Sequence, residues 1–251
     1  MVFDRDGFVK QSCQIHDQIN SIACHQKFTQ SCESQKANCT TDFLGACMKQ
    51  FLKTLETQRW DDHRYYHHSR INQTLHLISA ISFLVAYAYL FIDPVVSALI
   101  AWLISMTTRQ LGHFVFEPKG YDEVNMATHE HKEDIKVGYN LQRKVVLLTV
   151  CALIPVLAYW TPAVLTWAVP EMYEDTPVRI TGILWLFLGV AGLVFRVLQL
   201  WHQDSLQAGL AWALKIITDP VHDIKMYYKS PVYVLRGEWI DPMDHVRTSV
   251  H

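Results

Sequence analysis

Four histidines crowd one short stretch of this chain, HRYYHHSRINQTLHLISA, from His63 to Ala80. On a helix, His68, Asn72 and His76 fall at i, i+4 and i+8 and share one stripe. Farther along, Arg109, His113 and Glu117 repeat that spacing, and NMATHEHKED adds His129 and His131. Neutral imidazole is the commonest metal ligand, and a carboxylate such as Glu117 or Glu130 can complete or orient a set suited to non-haem iron. The candidate metal ligands are therefore His68, His76, His113, His129 and His131. Asn72, Arg109 and Glu117 are the candidate catalytic companions. Arg109 has the geometry to grip a carboxylate, to pair with Glu117 or to reach a lipid phosphate. His63 and His67 lie off the stripe and carry less weight. The competing reading is that each histidine only snorkels at a membrane interface.

The elements that must hold these residues are long apolar runs: Leu75–Ile92, Pro94–Met106 with an amphipathic continuation to Phe116, Val145–Val169 and Val178–Trp201. About 20 helical residues cross roughly 30 Å of hydrocarbon, so four spans are expected. Asp93-Pro94 interrupts the first two, which makes them a helical hairpin. Pro155 and Pro162 predict a kink in the third. The two short connections hold Asp93, and Glu171, Glu174 and Asp175. Arg59, Arg64 and Arg70, then Lys132, Lys136, Arg143 and Lys144, then Arg196, Lys215, Lys225, Lys229 and Arg236 gather on the other side. This is the positive-inside pattern of an even number of spans, with the histidines and both termini facing the cytoplasm.

The expected fold is all-α and polytopic: a segment 1–60 with five cysteines, a four-helix transmembrane domain 61–201, and an interfacial helix with a tail, 202–251. Ser205–Ile217 supplies that interfacial helix, with Leu206, Leu210, Leu214 and Ile217 at helical spacing. The polar opening MVFDRDGFVKQSCQ argues against a cleaved signal peptide. Cys13, Cys24, Cys32, Cys39 and Cys47 lie on the reducing side and should be free thiols; their spacing lacks the C-x2-C pairs of zinc modules, even with His16 and His25 nearby. A net charge of -2 argues against a nucleic-acid partner. No nucleophile elbow, phosphate loop or dinucleotide fingerprint is found, and HEH is not the zinc-protease H-E-x-x-H.

YHHSRINQTLH, followed by a short hairpin and GHFVFEP (residues 112–118), resembles the iron-dependent 2-hydroxy fatty acid dioxygenases over about a quarter of the chain. The resemblance implies that Fe(II) and O2 act on a 2-hydroxy fatty acid and release an acid one carbon shorter. It places His68, His76 and His113 at the family's histidine positions, with Asn72 and Glu117 beside them; His129 and His131 are added by proximity alone. The implied setting is a bacterial inner membrane or the endoplasmic reticulum, with a lipid substrate, O2 and an open question of homo-oligomerisation. Rival readings are a membrane di-iron lipid hydroxylase or desaturase, a haem carrier using His76 and His113 as axial ligands, and a membrane scaffold.

Overall fold

The computed structural model describes residues 36–137 and 141–247, with side chains from residue 45 onward except at 141, 142 and 247. Cys13, Cys24 and Cys32, expected as free thiols, and the neighbouring His16 and His25 lie outside the described residues. The chain forms two compact units that meet in sequence between Gln50 and Phe51. The first unit contributes the opening turns of helix α1 (Lys36–Tyr66), where Cys47 is an exposed free thiol.

The described residues are helical, with two isolated bridges and no strand. Helix α2 (Arg70–Tyr89) begins where the Ser69 hydroxyl accepts the Asn72 N–H. Helix α3 (Pro94–Phe116) begins at Asp93, whose carboxylate accepts the Val95 and Val96 N–H groups, with Pro94 in the first turn. The expected hairpin therefore forms. Inside α3 the backbone widens twice into π-helical turns, at Ala101–Met106 and Gly112–Phe116. A loop closed by paired Asp122 and Ala127 leads to the short helix α4 (His129–Asp134).

Helix α5 (Leu141–Trp160) runs through Pro155 but stops before Pro162, and Pro162–Val164 and Thr166–Ala168 are single 3-10 turns. The third apolar run is thus a shorter helix than expected, because its second proline opens a turn instead of kinking a helix. Helix α6 (Pro177–Gln203) matches the fourth run and is capped by Thr176. These four helices, α2, α3, α5 and α6, are long and apolar enough to cross a membrane.

Two indole contacts tie the spans together. Trp102 Nε1 donates to the Trp185 carbonyl, and Trp185 Nε1 donates to the Cys151 carbonyl, both at 2.9 Å. They sit in a core of Ala98, Trp102, Cys151 and Trp185. On α5, Val145, Val146, Val150, Leu153 and Val156 stay exposed, the surface a lipid-facing helix presents.

Helix α7 (Leu206–Tyr227) contains the expected helix and leaves its apolar stripe of Leu206, Leu210, Leu214 and Ile217 exposed. It continues past Ile217 and through Pro220, and packs on both α2 and α6. Gly209 lets it lie against the Val197 backbone of α6. Its buried face carries Lys215, Asp219, Asp223 and Tyr227, which a surface helix would turn outward. Short helices α8 (Ser230–Leu235) and α9 (Asp244–Arg247) follow. Ser230 donates to Gln73, Arg70 pairs with Asp241, and the Arg70 N–H donates to the Trp239 carbonyl, so the C-terminal segment clasps the start of α2.

Candidate metal centre

Three imidazoles meet where the link between α1 and α2 comes beside α3. His67 leaves helical phase in the break between Tyr66 and Ser69, His76 is on the second turn of α2, and His113 is in the second π-helical turn of α3. A π-helical turn re-aims a side chain, and such turns recur at functional sites. His76 Nε2 lies 3.1 Å from His113 Nε2, and His67 Nε2 lies 3.2 and 3.3 Å from the two ring nitrogens of His76. One nitrogen from each ring fits within a mutual span of 4.8 Å. His67 and His76 are shielded from solvent, at 1% and 0% exposure.

Hydrogen bonding on the outer side of the rings selects the tautomers. His67 Nδ1 lies 2.9 Å from the Asp62 carbonyl oxygen and so carries the proton it donates there. His76 Nδ1 faces Asp223 Oδ2 at 3.4 Å. Both rings therefore direct an Nε2 lone pair inward, the arrangement in which carboxylate or carbonyl partners orient metal-binding histidines. Burial, followed by the neighbouring His76, holds the His67 pKa well below its ordinary value and keeps that ring neutral.

Nitrogens bound to one metal at about 2.0–2.1 Å stand roughly 2.9–3.4 Å apart in octahedral or tetrahedral geometry. The two separations from His76 Nε2, 3.1 and 3.3 Å, fall in that interval and all three rings offer a nitrogen within 4.8 Å, so the donor set suits a divalent transition metal bound by nitrogen.

Around the triad lies a buried ionic network. Arg109 pairs with Asp223 at 3.2 Å and with Asp219 at 3.5 Å; Lys215 pairs with Asp219 at 2.8 Å and with Asp62 at 3.0 Å. Burial opposes ionisation of Asp62, but the charges of Lys215 and Arg109 outweigh it and hold its pKa well below the ordinary carboxylate range. Tyr227 lays its ring 5.3 Å from that of His67 and sets its hydroxyl 3.1 Å from His63 Nδ1. His63 Nε2 in turn is 2.8 Å from His245 Nε2; burial and then His245 lower the His63 pKa to about 4.

The residues singled out in the sequence separate into two groups. His76 and His113 meet in the triad, whereas His68, His129 and His131 stand apart from it. The His68 ring points to Asp122 Oδ2 at 3.2 Å and to the Arg64 carbonyl at 2.7 Å. His131 is exposed on α4; His129, half-buried, borders a small cavity that His113 and Glu117 also line. Glu117 accepts the His68 N–H at 3.0 Å and the Asn72 Nδ2–H at 2.7 Å, so these two residues brace the α2–α3 contact instead of facing the triad. Arg109 is committed to two aspartates.

His67 had no helical phase to mark it out. The aspartates did carry a signal: Lys215, Asp219, Asp223 and Tyr227 at i, i+4, i+8 and i+12 make a polar stripe in the helix LQAGLAWALKIITDPVHDIKMY.

A cavity of about 490 Å3 reaches the triad at His113. Phe83, Ala86, Leu90, Trp102, Trp185 and Leu186 furnish apolar wall, and Arg109, Lys136, Lys144 and Asp62 gather with His113. It is within the size range of small-molecule sites.

No protein-family model matches the chain, and neither a curated protein nor a solved structure shows significant similarity to it.

Proposed function

We propose that this protein is a membrane-bound non-haem iron oxygenase acting on a fatty acyl substrate, and that the reaction is α-oxidation of a 2-hydroxy fatty acid to the acid one carbon shorter. One observation carries the reading: three imidazoles, two buried and one half-buried, with ring nitrogens converging within 4.8 Å, border an apolar cavity among helices long enough to cross a membrane. The resemblance of YHHSRINQTLH and GHFVFEP to the 2-hydroxy fatty acid dioxygenases supports the substrate, and the basic residues around the histidine-bearing end support a cytoplasmic orientation.

Bound iron(II) would supply the O2 chemistry. The chain's own contribution is threefold. His67, His76 and His113 hold the ion, and Asp62 and Asp223 keep two of those rings in the binding tautomer. The apolar wall takes the acyl chain and excludes water. The ionic network of Arg109, Lys215 and the aspartates fixes α7 against the site.

The geometry supports one ion over its rivals. His76 Nε2 and His113 Nε2 lie 3.1 Å apart, a separation that favours one shared ion over the two sides of a haem. A di-iron site needs a second ligand set, and among the described residues one group of three is found.

The test is elemental analysis of detergent-purified protein after anaerobic Fe(II) loading. Near-stoichiometric iron is expected in wild type and in His68→Ala. It should be lost from His67→Ala, His76→Ala and His113→Ala, and turnover of a 2-hydroxy fatty acid should be lost with it. Failure of wild type to hold iron, or a Soret band in its visible spectrum, overturns the assignment.

A further inference from the structure

The cations at the cavity differ in how far their charge is satisfied. Arg109 is taken by Asp219 and Asp223. Lys136 pairs with Glu133 at 3.2 Å and lies over the Tyr66 ring. Lys144 lines the same cavity and also the small neighbouring one of about 50 Å3, in both cases alongside His113 and Lys136. Among the described residues, no carboxylate lies within ion-pair distance of Lys144; its neighbours include the Phe114 ring, 6.0 Å from the ammonium. It stands in the first turn of α5, where the helix dipole disfavours a cation. A half-buried ammonium beside a second lysine, at the edge of a largely apolar cavity, is costly unless an anion joins it.

We propose that Lys144 binds the anionic head group of a single-chain amphiphile whose tail fills the 490 Å3 cavity, so that the head, a carboxylate or a phosphate, lies next to His113. This rests on reading that cavity as the acyl site, and it gives Lys144 the head-group role that the sequence suggests for Arg109. Lys144 then acts as a specificity residue: it separates an acid or phosphate from an uncharged lipid of the same length, because the charge–charge contact forms in a site that largely excludes water.

The experiment is displacement of a fluorescent long-chain fatty acid from the metal-free, detergent-purified full chain. The competitors are a saturated fatty acid, an alkyl phosphate and an alcohol of equal chain length. Wild type should prefer one or both anions to the alcohol by at least ten-fold, and the better of the two names the head group. Lys144→Met should bring the anions down to the alcohol's affinity and leave the alcohol unchanged, while Lys144→Arg keeps the preference. An unchanged preference in Lys144→Met overturns the proposal, as does an equal loss of all three ligands.

Iron content measured on the same variants keeps the two readings apart. Iron bound without head-group preference refutes the role of Lys144 alone, whereas preference without iron refutes the oxygenase alone.

Discussion

The Asp122 carboxylate has four partners at once, one of them the Val124 N–H. It accepts from Asn125 Nδ2 at 3.0 Å, faces His68 Nε2 at 3.2 Å and lies 3.4 Å from Lys132 Nζ, a buried ammonium. Burial of Asp122 opposes its ionisation, but the hydrogen bonds from His68 and Asn125 prevail and hold its pKa well below the ordinary carboxylate range. At His68 burial likewise opposes the charge, and Asp122 and Glu117 overcome it to raise the pKa above 6.5. A depressed carboxylate pKa contributes stability that is present above the unfolded value, about 3.9, and is lost as pH falls toward the folded value. Melting temperature in detergent should therefore drop on acidification below about pH 4. Asp122→Asn should lack that component and start lower at pH 7, by the order of 3 kcal/mol, because Lys132 loses its carboxylate. Identical acid profiles in the two proteins would remove Asp122 from this role.

The approach of α3 to α2 is set by one missing side chain. A Cβ on Gly112 would stand 2.1 Å from Asn72 Oδ1 and 3.4 Å from Asn72 Cα. Asn72 cannot swing aside: it is fully buried and donates to the Tyr66 carbonyl and to Glu117. Glycine at 112 is thus what lets His113 reach His76. Gly112→Ala should destabilise the protein by about 1–3 kcal/mol, typical of overpacking, and lower its iron content. Gly120→Ala, whose Cβ meets nothing within 4 Å, is the matched control and should change neither. Equal behaviour of the two variants would show that the contact is not limiting.

For the whole molecule, the proposed orientation, with the chain before α2 and the histidine-bearing end on the cytoplasmic side, rests on the distribution of basic residues. Cys47, exposed on α1, can report this once the other cysteines are replaced by serine. A membrane-impermeant maleimide should label it only after cells or vesicles are opened. Labelling of intact cells would reverse the orientation.

At every scale, local signals were legible and convergence was not. Apolar length and the punctuation at Asp93-Pro94 determine four candidate spans and where the first pair turns, because backbone polar groups in hydrocarbon must be satisfied within a helix. Helical spacing also brought out His76 and His113. Only the tertiary structure decided that His67 joins them in place of His68. His67 sits in a non-helical break, and its direction follows from how α1 returns onto α2, with the Asp62 carbonyl turning its ring. Tertiary packing likewise decided what covers the polar face of α7: its stripe of Lys215, Asp219 and Asp223 is stable in the interior because Arg109 and Asp62, more than 100 residues earlier, supply the opposite charges.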